Sequence, residues 1–272
     1  MKKLAVAALV ALSTSVWSQS SQGAWGLYNY EQREYQIVHN RSEVRSIASI
    51  TKLFTANTIM RAGLELDERV KVTGKASGRF PKGTMVSRMD LMKAMLISSD
   101  NLAAETLAHT YPGGFDRFIY DTNEWVRGWG MTETTIVDAS GLLPGNRSSI
   151  DDLITFLPKL RVHRDIMTIS NERTASLAIP KGKKTVKINL RNTNPTLFQF
   201  DNILLSKTGF TNPAGRCVVM LVEKAGDVYA IAILGQRNVQ ERAVLASDLI
   251  TASPLPKLPV VEYETIEFKF PL

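Results

Sequence analysis

The spacing of apolar positions divides the chain into three stretches. Near the start, Leu27, Tyr28 and Tyr30, then Tyr35, Ile37 and Val38, form two short runs with polar residues between them. That pattern predicts a β-hairpin over residues 26–38. From Ser46 the period lengthens to that of a helix. Ile50, Leu53, Phe54, Ile59 and Met60 continue it until Gly63, with Ser46 as the expected N-cap. Residues 64–86 are basic and contain glycine, which predicts loops with a small strand pair. Helical runs follow over 89–97 and 102–109, the second capped by Ser98-Ser99-Asp100-Asn101. Two more are expected over 115–127, behind Gly113-Gly114, and 150–160, behind a cap at Ser149. Between them, 134–137 reads as an extended piece entering a loop at 139–142. From Thr174 alternation takes over, with strands at 185–190 and 203–205 and a hairpin of 217–223 and 228–234 about Ala225-Gly226-Asp227. A helix over 239–252 follows. Strands near both ends with helices between them predict an α+β fold: an antiparallel sheet built from both chain ends, flanked by helices, with a helical subdomain.

Composition narrows the setting. The 272 residues are 44% hydrophobic and 22% charged, enough for one large domain or two small ones. Met1-Lys2-Lys3, an apolar run from Leu4 to Leu12 and small residues up to Ser18 have the layout of a secretory signal peptide cut ahead of Gln19. The run is far shorter than the roughly 20 residues of a membrane span, and no cysteine near the cut offers a lipid anchor. The expected organisation is a signal peptide at 1–18, one domain at 19–254 and a short tail at 255–272, in an exported protein with no other membrane anchor. A net charge of +7 suits an anionic wall or membrane surface, but no run of Lys and Arg interleaved with aromatics points to nucleic acid. The single Cys217 excludes an internal disulfide, and its apolar surroundings predict a buried strand. His39, His109 and His163 lack metal-ligand spacing, and Asp151-Asp152 reads as helix-start acid, so no metal or other cofactor is expected.

The chemistry resides in three short motifs. In Ser49-Ile50-Thr51-Lys52, residues three apart on a helix share a face, so the Lys52 amine can reach the Ser49 hydroxyl. Serine is a poor nucleophile until a base takes its proton, and a neutral lysine can be that base. An ordinary lysine, with a pKa of about 10.4, is almost wholly protonated at neutral pH. Burial and a second nearby cation are expected to lower it. Lys207-Thr208-Gly209 supplies such a cation on or beside a strand, and Ser99-Asp100-Asn101 lies at a helix junction between the two. Each pattern occurs once in the chain. Alone each is weak, since about one Ser-x-x-Lys is expected by chance at this length. In this order they form the constellation of serine acyl-transferases that react with penicillin. Ser49 attacks a carbonyl and Lys52 takes its proton. Ser99 relays a proton to the leaving amine, and Asn101 holds Lys52 and the substrate amide. Lys207 gives positive potential, Thr208 donates a hydroxyl, and Gly209 leaves room for substrate along the strand edge.

The likeness extends beyond the triplets. Residues 49–56, Asn192-Thr193-Asn194-Pro195, and the run from Leu205 to Cys217 resemble the low-molecular-mass penicillin-binding proteins, in particular their D-alanyl-D-alanine endopeptidase branch. Gly141-Leu142, Asn146 and Ser148-Ser149 resemble the loop and helix start of that branch. The resemblance implies a β-lactamase/transpeptidase-like fold and a periplasmic hydrolase of peptidoglycan cross-links, acting through an acyl-enzyme on Ser49 and blocked by β-lactams. It also implies that the backbone of Ser49 and Phe210 forms the oxyanion hole, and that Arg242, with Arg237 as rival, receives the substrate carboxylate. The alternatives are a D-alanyl-D-alanine carboxypeptidase, which shares every catalytic part, or a catalytically silent wall-binding homologue. A β-lactamase is disfavoured by the absence of Glu-x-x-Leu-Asn and Tyr-x-Asn.

Overall fold

The computed structural model describes residues 22–181 and 184–252. The expected signal peptide at 1–18 and tail at 255–272 lie outside the described residues. β1 (Ala24–Asn29) and β2 (Glu34–His39) form the first hairpin. β3 (Arg45–Ser46) leads through a 3-10 turn at Ala48–Ile50 into α1 (Thr51–Arg61). A small pair, β4 (Arg69–Lys71) and β5 (Met85–Ser87), precedes α2 (Arg88–Ile97), α3 (Asn101–His109) and α4 (Gly114–Gly128). β6 (Arg147–Ser148), α5 (Ile150–Phe156) and α6 (Arg164–Asn171) lead to a separate hairpin of β7 (Thr174–Lys181) and β8 (Lys184–Arg191). β9 (Ile203–Thr211), β10 (Gly215–Lys224), β11 (Asp227–Gln236) and α7 (Val239–Thr251) complete the order.

The main sheet has the order β2-β1-β11-β10-β9, with every neighbour antiparallel. β1 pairs with β11, Ala24 opposite Leu234, so the two ends of the described chain meet inside one sheet, as the sequence predicts. β10 and β11 are apolar on both faces because both are covered. Period-two alternation sends Cys217, Val219, Leu221, Ala230, Ala232 and Leu234 into the large core shared with the helices. The intervening Val218, Met220, Val222, Ile231 and Ile233 join Leu245 and Leu249 of α7 in a second core.

α1 is the axis of the helical layer. Its residues from Thr51 to Ile59 are all buried, so it has no solvated face over that span, the mark of a core helix. Phe54 stacks on Phe156, centroids 3.9 Å apart, and on Trp125 at 5.8 Å. Such stacking fixes the helix against α4 and α5 and holds its first turn towards the sheet.

Three local expectations are revised. Ser46 does not cap α1, because its backbone pairs with Arg147 and its hydroxyl donates to Pro144 O at 3.2 Å. The chain therefore stays extended to Ser46 and turns abruptly, with Ala48 at φ +45°. α6 is not predicted by the sequence pattern; eight residues long, it starts at His163 without a side-chain cap. Packing against β9 supplies what its sequence lacks. The extended piece at 134–137 makes only one bridge, Thr135 with Arg147. Among the described residues, no helix is long and apolar enough to cross a membrane. Truncating Phe54 to Ala removes the centre of the aromatic stack, and chemical denaturation should show a loss of about 3–5 kcal/mol.

Candidate active site

The 3-10 turn at Ala48–Ile50 presents Ser49 at the junction of α1 and the sheet. One turn on, Lys52 is completely buried. Its Nζ donates to Ser49 Oγ at 2.7 Å, Asn101 Oδ1 at 2.7 Å and the Ser140 carbonyl at 2.5 Å. Three acceptors match the three protons of an ammonium. Burial nevertheless lowers the Lys52 pKa to about 7, with the charges of Asp138 and Asp100 pulling the other way. The expected help from a second cation is therefore a correction: at Lys52, desolvation does the lowering. Mutual repulsion is felt at Lys207, whose pKa burial pushes well below its ordinary value, assisted by the charges of Lys52 and Arg242.

Sequence reasoning places a loop at 139–142 but misses that its Ser140 carbonyl accepts from Lys52. Asp138 is buried and organises it, accepting from Ser140 N at 2.7 Å, Gly141 N at 2.5 Å and Leu143 N at 2.7 Å. Asn146 Oδ1 accepts from Val137 N and Asp138 N, while its Nδ2 donates to Leu143 O. Gly141 has φ +82°, and a Cβ there would lie 1.9 Å from Ala48 O, so only glycine lets this loop press against the Ser49 turn. Asp-x-Ser-Gly, an acid ahead of a tight turn, was the available signal.

Ser99 stands between α2 and α3 with φ +59°, an unusual conformation for serine. The surroundings hold it there. Asp100 caps α3 through Ala103 N at 2.8 Å and also accepts from Arg79 N at 2.6 Å. On the other side, Ser98 Oγ accepts from Arg191 N at 3.1 Å and donates to Arg191 O at 3.2 Å. Lys207 Nζ donates to Ser99 Oγ at 3.0 Å, which joins the sheet to the helical layer. The three motifs thus yield two hydrogen-bonded groups, Ser49 and Asn101 on Lys52, and Ser99 on Lys207.

β9 forms the other wall. Thr208 Oγ1 lies 2.6 Å from Thr193 Oγ1. A Cβ on Gly209 would stand 2.9 Å from both Ile47 O and Ser49 N. The space expected for substrate above Gly209 is filled, on that face, by the protein's own turn. Gly209 instead lets β9 come close to the Ser49 turn, with Phe210 the next residue along the strand. Phe210 is 44% exposed at the strand end and carries the Arg216 guanidinium 3.5 Å from its ring centre. Arg242 is buried, donates to Cys217 O at 3.5 Å and has a pKa lowered by burial to about 10. Its rival Arg237 is exposed. Arg242 is the one directed inward.

A five-stranded sheet, a helical layer and a half-buried serine on a buried lysine at their junction define a serine peptidase of the penicillin-interacting type. The chain belongs to the D-alanyl-D-alanine carboxypeptidase family, whose profile matches residues 27–238. It is 35% identical over 226 residues to a D-alanyl-D-alanine endopeptidase of Escherichia coli (strain K12), covering 79% of this chain and 72% of that protein. Its fold matches the Streptomyces K15 DD-transpeptidase with a TM-score of 0.79 at 19% identity, over 85% of this chain and 95% of that one. Penicillin-binding protein D2 of Listeria monocytogenes, solved in a cefotaxime-bound form, matches with a TM-score of 0.74 at 27% identity, over 85% and 96% of the two chains.

The buried amine has a consequence for stability. With its folded pKa near 7 and an unfolded value near 10.5, Lys52 holds more protons unfolded than folded between those limits. Stability therefore rises with pH across that window. Measured against Lys52→Met, the wild-type deficit should be constant below about pH 7 and then shrink by about 1.4 kcal/mol per unit towards pH 10.5. A pH-independent difference would return Lys52 to an ordinary pKa.

Proposed function

We propose that this chain is an exported, periplasmic serine D,D-endopeptidase that hydrolyses D-alanyl cross-links in peptidoglycan through an acyl-enzyme on Ser49. The observation that carries this reading is the completely buried Lys52 amine, 2.7 Å from Ser49 Oγ and with a pKa lowered by burial to about 7, in a member of this peptidase family. The endopeptidase assignment is supported by the 35% identity to a D-alanyl-D-alanine endopeptidase. Export is supported by the leader pattern of residues 1–18.

The proposed steps use these groups in turn. Neutral Lys52 takes the Ser49 proton as Oγ bonds to the D-alanyl carbonyl carbon. Negative charge moves to the carbonyl oxygen, which accepts from the N–H groups of Ser49 and Phe210. The C–N bond then breaks, and the leaving amine receives a proton through Ser99, whose hydroxyl is held by Lys207. Thr208 and Arg242 receive the carboxylate beside the scissile amine, while Asn101 positions Lys52 and the donor-side amide. Water, activated by the same base, attacks the Ser49 ester and releases the acyl group. A β-lactam acylates Ser49 in the same way, but its amine stays tethered in the adduct.

Incubation with a fluorescent penicillin, followed by peptide mapping, tests the reading. The label should map to Ser49, with an acylation rate that rises with pH through about 7. Lys52→Ala should lower that rate by about a hundredfold or more. Labelling elsewhere, or at the wild-type rate in Lys52→Ala, would remove the proposed base. Products from cross-linked muropeptides should be separated stems; release of free D-alanine alone would make the chain a carboxypeptidase.

A further inference from the structure

The walls of the site carry more positive charge than one substrate carboxylate needs. Arg242 and Lys207 lie close enough for the charge of each arginine or lysine to be felt by the next, and Arg216 acts on Arg242 in the same way. Among the described residues, no carboxylate forms an ion pair with any of the three. Arg242 and Thr208 account for the carboxylate next to the scissile amine. Arg216 is left over.

The placement of Arg216 is specific. It sits directly across from Phe210 in the β9–β10 pair, one residue beyond the Gly209–Cys217 pair that faces the Ser49 turn. Its guanidinium lies flat against the half-exposed Phe210 ring, with the centroid at 3.5 Å. Stacking uses the face of the guanidinium and leaves its in-plane donors available to a carboxylate. Its Nε is buried without a hydrogen-bond partner among the described residues. An orphaned donor of a charged group, stacked on an aromatic ring one residue beyond the Gly209–Cys217 pair and near Arg242, is an arrangement that lacks its acceptor.

We propose that Arg216, stacked on Phe210, is a second anion-binding position that receives a carboxylate on the leaving stem of a cross-linked substrate. The inference rests on the reading that Ser49 cleaves D-alanyl bonds. Its chemical content is discrimination between leaving groups. A terminal D-alanine leaves with one carboxylate, which Arg242 serves. A leaving peptide stem brings a further, C-terminal carboxylate, and Arg216 lies outward of Arg242's partner strand residue to meet it. The second guanidinium thereby favours cross-links over chain ends.

Binding and turnover of two synthetic dimers test this, one with a free C-terminal carboxylate on the leaving stem and the other with a C-terminal amide. In the Ser49→Ala protein, which cannot acylate, affinity for the acid should exceed that for the amide by about tenfold. In Ser49→Ala/Arg216→Gln that ratio should fall to about one, and Arg216→Lys should restore only part of it, since the planar fork is lost. The same collapse should appear in the kcat/KM ratio of the single variant Arg216→Gln. Equal affinity of the Ser49→Ala protein for acid and amide, no binding of either, or a ratio untouched by Arg216→Gln would overturn the proposal. Labelling of wild-type Ser49 by penicillin reports separately on the catalytic reading. Thermal melting of each variant identifies loss of fold, and Arg216→Lys, which keeps the charge and the stem over Phe210, remains decisive if Arg216→Gln unfolds.

Discussion

The site depends on keeping a lysine amine out of water. Removing Lys52 from solvent lowers its pKa to about 7, and the same burial removes competitors for its contact with Ser49 Oγ. An amine in that state is a base at neutral pH and, once protonated, has acceptors in place at Ser49, Asn101 and Ser140. Asp138 and Asp100 keep the depression within a useful range. Further lowering would leave a weaker base, and exposure would leave an inert cation.

Building that environment explains much of the architecture. The helical layer must press α1 against the sheet closely enough to exclude water. Two glycines permit it, Gly141 against Ala48 O and Gly209 against Ile47 O and Ser49 N, at points where a Cβ would collide with backbone. The closing loops are held by polar side chains: Asp138 for the Ser140 turn and Asn146 for its approach through local bonds, and Ser98 and Asp100 on either side of strained Ser99, with Ser98 reaching across to Arg191. The site is made from a 3-10 turn, a helix junction, a loop and a strand edge. Each brings one or two groups, and the large core behind them fixes their relative positions.

Much of this was legible in the sequence. The sheet from both chain ends followed from period-two runs at 26–38 and 217–234, and the helical layer followed from the long period beginning at Ser46. The polar residues of the Lys52 and Lys207 groups were legible because local spacing fixes part of their geometry, as with Ser49 and Lys52 one helical turn apart. Contacts decided by packing were not legible. Ser46 looks like a cap until β6 claims its backbone. α6 has weak end signals and depends on β9 for its place. Gly209 reads as space for substrate, whereas the space on that side is taken by Ile47, Ala48 and Ser49, far earlier in the chain. Nor does the order of motifs reveal that Ser140 contributes through its carbonyl, because a backbone acceptor leaves no mark on residue type.

The central claim is the protonation state of Lys52, and it is directly observable. With lysine labelled by 13C at Cε, the NMR titration of the wild-type protein, assigned by comparison with Lys52→Met, reports the amine itself. The account predicts a Lys52 midpoint near pH 7, well separated from the surface lysines. A midpoint near 10.4, among the ordinary lysines, would contradict it and remove Lys52 as the base that activates Ser49.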